Sequence, residues 1–150
     1  MAGRLGVWTV LILAAVLAAG PAFAGPVDNA LKRIYEMSDP VVENILVSMR
    51  DKNYEQAVKD FDDVMLSALP PSKLGDVAAE NMKTIGVYEP GSKKHISIAF
   101  TEDGYIVVQY ECTFTNESPV VVRVVYKRGD AQHKVTGLWF DSAKLRQQIK

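Results

Sequence analysis

Residues 104–114 read GYIVVQYECTF, a run of β-branched and aromatic residues with a carboxylate, Glu111, near its end. Such a run predicts a strand whose side chains point alternately to opposite faces. Its even positions, Ile106, Val108, Tyr110, Cys112 and Phe114, are all apolar or sulfur-bearing, and Glu111 falls among the odd ones. One face is therefore expected to be covered and the other left open. What lies against each face decides the fold.

Working outward, the same period of two recurs over 95–100, 120–127 and 134–140, so four strands are expected. Glu102-Asp103-Gly104 suits a three-residue hairpin loop with glycine in the left-handed position. That loop pairs Thr101 with Tyr105, and then Phe100 with Ile106, Ile98 with Val108, and Ile96 with Tyr110. Asn116-Glu117-Ser118, read as a second three-residue loop, pairs Thr115 with Pro119, Phe114 with Val120, Cys112 with Val122, and Tyr110 with Val124. In both hairpins the even positions form one apolar face; a one-residue slip would bury charges, but a two-residue slip keeps the pattern. With this register His95 stands opposite Glu111, and Glu111 opposite Arg123.

Upstream, residues 27–86 carry helical periodicity. A weak first piece holds Val27, Leu31, Ile34 and Tyr35 on one side. Ser38-Asp39-Pro40 is read as a restart, with Asp39 capping and Pro40 in the first turn. The clearest predicted helix opens at Asn53, with Gln56 placed to reach back, and runs to Pro70-Pro71 with Tyr54, Ala57, Val58, Phe61, Val64, Met65, Ala68 and Leu69 on one face. Asp60, Asp62 and Asp63 are read as its solvated side. A third helix follows from near Ser72 to Gly86, a residue suited to ending helices, and Gly75 within it would allow a close crossing. The expected fold class is α+β, with N-terminal helices packed on a curved four-stranded antiparallel sheet.

The first 24 residues stand apart. Arg4, an apolar stretch over 7–19 and the small-residue pattern Ala22-Phe23-Ala24 have the form of a secretory signal peptide. The apolar part is shorter than the roughly 20 residues a membrane span needs. Cleavage after Ala24 leaves a single domain over 25–150, in the periplasm or outside the cell, with no membrane attachment. Cys112 is the only cysteine, so no disulfide forms within one chain. A formal net charge of −1, or −2 without Arg4, offers no electrostatic basis for binding nucleic acid.

No Gly-rich phosphate loop, no G-x-S-x-G elbow and no metal-ligand spacing is present, so neither cofactor nor metal is expected. The only histidines are His95 and His133. His133 and the Arg128-Gly129-Asp130 triplet belong to a polar turn.

The odd face carries Tyr105, Val107, Gln109, Val121, Val125 and Trp139, rather apolar for a surface in water, with His95, Glu111 and Arg123 in a row across it. This points to a binding or interaction module, homodimeric through the open face, with Glu111 and Arg123 setting register. A second reading places a small apolar ligand between helices and sheet, lined by Tyr54, Phe61, Tyr110 and Phe114. A third pairs His95 with Glu111 as an acid–base enzyme, the least favoured because an open face neither buries nor tunes such a pair.

The stretch SDPVVENILVSMRDKNYEQAVKDFDDVMLSALPPSKLGDVAAENMKTIGVY (38–88), and within it KNYEQAVKDFDDVM and IGVY, together with the later VTGLWFDS (135–142), resembles a small bacterial domain family of unknown function. The resemblance covers about residues 38–145. It implies the nuclear transport factor 2-like fold, also called a cystatin-like α+β roll, in which a curved sheet wraps over helices. In relatives the domain can precede an α/β-hydrolase. The resemblance brings no family-wide catalytic residues. It implies dimerisation through the open sheet face, as in many of the wider superfamily, or a ligand between sheet and helices. A few members of that superfamily are enzymes that use Asp and His in a deep pocket; the inward Ile, Val, Tyr, Cys and Phe positions of this chain do not match that pattern.

Overall fold

The computed structural model describes residues 25–149, so the signal sequence read over 1–24 lies outside the described residues. Helices precede strands, as the two periodicities require. The helices are α1 (Pro26–Arg50), α2 (Tyr54–Ala57), α3 (Asp63–Ala68) and α4 (Pro71–Ile85). The strands are β1 (Lys94–Phe100), β2 (Tyr105–Phe114), β3 (Glu117–Lys127) and β4 (Val135–Asp141), and a short α5 (Ala143–Gln147) closes the chain. The four strands form one antiparallel sheet in the order β1-β2-β3-β4, an α+β architecture with helices packed on the sheet.

Helix α1 corrects the expected restart at Ser38-Asp39-Pro40: it runs unbroken for 25 residues with Pro40 inside it. Proline removes one backbone hydrogen bond, a loss that in a helix interior costs about 3 kcal/mol or more. Here Glu36, four residues back, and Pro40 are both exposed, so water can reach the carbonyl left without a donor. The opposite side holds both halves down through Ser38, Val42, Ile45, Leu46 and Met49, all buried. Packing outweighs the local break.

The long helix expected over 53–69 is two short ones. Val135 N–H donates to the Asp60 carbonyl (2.7 Å), and Asp62 N–H donates to the Val135 carbonyl (2.9 Å), so residues 60–62 bridge to the start of β4. Asp62 is therefore no part of a solvated helix face: its Oδ1 accepts from Met65 N–H at 2.7 Å and caps α3. Asn53 caps α2 through Gln56 N–H, as expected. Gly75 does permit a close crossing, with the Tyr54 ring 3.0 Å from where a Cβ would stand.

The alternation along the sheet holds over most of its length. Val108, Tyr110, Cys112, Val120, Val122 and Val124 are fully buried against the helices, with Ile45, Leu46, Leu74 and Ile85 on the helical side. Transfer of such side chains out of water stabilises by about 1.5–3 kcal/mol each. The ladder shifts at three places, between His95 and Ser97, Cys112 and Phe114, and Val125 and Tyr126; the first leaves Ile96 exposed, and the last turns Val135 into the core, while Phe100 at the far end of β1 is exposed as well.

Candidate functional site

The face turned away from the helices carries most of the residues singled out in the sequence. Ala99, Val107, Val125 and Gly137 form one row across the four strands; Ser97, Gln109, Arg123 and Trp139 form the next. In the polar row Gln109 Nε2 donates to Ser97 Oγ (3.2 Å), and Arg123 Nε donates to Gln109 Oε1 (3.2 Å). Trp139 is 55% exposed, whereas Val125 is almost fully buried and Val107 and Tyr105 are half-buried. No described helix or loop covers this face.

The expected charge row is not made. Glu111 pairs with Val121, and Arg123 with Gln109, two residues from the predicted register. The turn is Thr115-Asn116, not a three-residue loop. It is fixed from outside: Thr115 N–H donates to the Val87 carbonyl (2.9 Å), Asn116 N–H to the Ile85 carbonyl (3.0 Å), and Val87 N–H to Thr115 Oγ1 (3.1 Å). The exit of α4 thus dictates where β3 begins. Glu111 and Arg123 remain exposed on the open face, and neither forms an ion pair among the described residues.

His95 does not belong to that face. The bulge leaves Ile96 unpaired and sets His95 opposite Tyr110, so His95 turns toward α1. Its Nε2 lies 2.9 Å from both carboxylate oxygens of Asp39, and its ring stacks on Tyr35 at 3.6 Å between centroids. Tyr110 Oη donates to Asp39 Oδ1 (2.9 Å), and the Ser38 and Tyr126 hydroxyls share a hydrogen bond of 2.8 Å. Burial above all pushes the Tyr110 and Tyr126 phenols well above their ordinary range; the Ser38 hydroxyl opposes this at both, and Asp39 reinforces it. Both therefore stay neutral, and Tyr110 donates to Asp39. With His95 and Glu111 on opposite faces, the acid–base pair considered from sequence is not formed. Asp39, Tyr35, Ser38 and Tyr126 went unrecognised. The available signal was two polar residues, Ser38 and Asp39, just ahead of the apolar stripe that begins at Val42. Their chemistry here is a tie between α1 and the sheet.

A cleft of about 400 Å³ opens beside this tie, between the first half of α1 and the β2–β3 end of the sheet. Ile34, Met37, Ile106 and Tyr126 supply its apolar floor; Arg33, Lys127, Asp130 and His133 supply its rim. Asp130 is already engaged: its oxygens accept from Gln132 N–H and Lys134 N–H, both at 3.0 Å, and these bonds hold the carboxyl below its usual range. A second gap, about 20 Å³, lies beneath α4 with Phe114 in its wall, room for about one water. Of the four residues expected to line a cavity, Phe114 borders the second gap, and Tyr54, Phe61 and Tyr110 border neither space. The Arg128-Gly129-Asp130 triplet is likewise engaged, with the Arg128 guanidinium over the Phe100 ring at 5.5 Å.

Among the described residues no group of three or more His, Cys, Asp or Glu side chains could hold a metal ion, and no helix is long and apolar enough to cross a membrane. Residues 42–138 match the model of a family described as "Protein of unknown function (DUF3887)". No curated protein and no solved structure matches the chain.

Proposed function

The chain belongs to this family of unknown function, and we propose that it is an exported, non-enzymatic binding module that pairs with a second copy of itself through the open face of its sheet. The observation that carries this reading is the exposed Trp139, which lies over the row of half-buried Val107 and buried Val125 and Gly137, beside two opposite charges, Glu111 and Arg123, that form no ion pair among the described residues. Across a two-fold axis the same patch meets itself. Arg123 of each copy then finds an acceptor in Glu111 of the other. Four strands of about seven residues, at about 4.8 Å spacing and 3.3 Å rise, present about 450 Å² per protomer. The resulting total of about 900 Å² lies below the usual range of stable dimers, so the association is weak and concentration-dependent.

The signal-like pattern of the first 24 residues supports export, and with it a module that works in the periplasm or outside the cell. The nuclear transport factor 2-like roll that the resemblance implies is compatible with this mode of pairing. Sedimentation of residues 25–150 over a hundredfold concentration range tests the proposal. A dimer that Val107→Glu abolishes is the expected result; a monomer at every concentration rejects it. One observation favours a second reading: the cleft of about 400 Å³ falls within the size range of small-molecule sites, so the module also takes a small ligand between α1 and the sheet.

A further inference from the structure

We infer that the cleft between α1 and the β2–β3 end of the sheet binds a small amphipathic monoanion: an aromatic or short acyl body carrying one carboxylate. The inference rests on reading the cleft as a ligand site and adds the ligand's charge and shape. Ile34, Met37, Ile106 and the ring of Tyr126 form an apolar floor that an extended hydrocarbon or single ring would cover. The Tyr126 hydroxyl is turned inward to Ser38, so the floor offers no hydroxyl to a polar ligand body.

The rim decides the charge. Arg33 on α1 and Lys127 at the end of β3 flank the opening from opposite walls, and neither forms an ion pair among the described residues. Asp130 stands in the same rim as an ionised carboxylate, held by the backbone N–H groups of Gln132 and Lys134 and near enough to Lys127 and His133 to feel their charge, so it offsets part of the positive charge and leaves the rim with an excess of one cation. One net positive charge over an apolar floor favours an anionic head with an apolar tail, and the planar guanidinium of Arg33, on the wall away from Asp130's own loop, suits a carboxylate in particular. His133, at a φ of +51° in the same rim, closes a turn by donating its N–H to the Asp130 carbonyl at 3.2 Å.

Titration of ¹⁵N-labelled residues 25–150 with 4-phenylbutyrate, beside the neutral 4-phenylbutanol, tests this. The expected result is saturable amide shifts at Ile34, Met37, Ile106 and Tyr126 with the acid. Arg33→Gln or Lys127→Gln, both at exposed positions that leave the fold intact, should weaken the acid about tenfold and leave the alcohol unchanged. Equal binding of acid and alcohol would overturn the charge assignment while leaving the cleft a ligand site. No shifts with either compound at millimolar concentration would overturn the ligand site itself. Binding to phosphatidylglycerol vesicles with no cleft response to the acid would assign the two cations to a membrane surface, and would also overturn the inference.

Discussion

Trp139 lies across Gly137: a Cβ on the glycine would stand 2.4 Å from Cη2 and Cζ3 of the indole and 3.3 Å from Cβ of Val125. The glycine is the seat on which the exposed indole of the open face rests. Gly137→Ala should lift the indole into water, redden and weaken its emission, and cost about 1–3 kcal/mol through the steric conflict. Trp139 is the only tryptophan after residue 24, so fluorescence of residues 25–150 reads it alone. An unchanged spectrum in a stable variant would show that the indole does not rest there.

Glu111 and Arg123 offer a charge-swap test of self-association. Glu111→Arg or Arg123→Glu alone should weaken the dimer several-fold by placing like charges across the two-fold axis. The two substitutions together should restore it. Sedimentation equilibrium of the three variants decides; additive losses would remove the cross-axis pair.

The tie between α1 and the sheet should be worth more through Tyr110 than through His95. The His95 and Asp39 side chains are 45% and 34% exposed, so His95→Ala should cost no more than about 1 kcal/mol. Asp39→Ala also takes an acceptor from the buried Tyr110 hydroxyl, and should cost about 1–3 kcal/mol. Urea unfolding of both single variants and the double variant gives the coupling.

Burial pushes the Cys112 thiol up to about 12, with Lys93 opposing and Glu43 and Glu111 adding to the rise. At pH 8 the native thiol is therefore protonated as well as sealed, and Ellman's reagent should react only when denaturant opens the fold. The folded-state value is raised, so the stabilising contribution is fully present below the unfolded value of about 8.5 and is lost as pH climbs toward 12. The phenols of Tyr88, Tyr110 and Tyr126, raised chiefly by burial, act in the same direction from about pH 10 upward. The urea midpoint should fall steadily above pH 9; a flat profile to pH 11 would contradict the burial of these groups.

Ile45 is fully buried where α1 meets the sheet, and Val64 is 76% exposed on α3. Ile45→Ala should cost about 2–5 kcal/mol and Val64→Ala less than about 0.5 kcal/mol. Thermal and urea unfolding compare them directly.

The inward and outward sides of β2 and β3 were legible because burial imposes a period of two that no charge interrupts at Val108, Tyr110, Cys112, Val122 or Val124. Their pairing was not, since a slip of two residues preserves that pattern. The choice was made by Val87 and Ile85, which hold the Thr115-Asn116 turn from a distant part of the chain. The break at residues 58–62 was hidden for the same reason: a good helical stripe lost its backbone partners to Val135. His95 turned inward through a bulge that has no local signature in KHISIAF. The cleft was invisible in sequence because Arg33, Ile106 and Lys127 meet only when α1 lies on the sheet.

Because within the sheet every strand pairs only with the strands next to it along the chain, the sheet can grow hairpin by hairpin through short loops. Docking of α1 is different in kind: Ser38 and Tyr126 meet across 88 residues. By chain-closure entropy that contact costs about 2 kcal/mol more than joining a ten-residue loop. The meander is thus expected to form before the long helix docks, with the docking as the slower step, an order that the folding rates of Val108→Ala and Ile45→Ala variants would test.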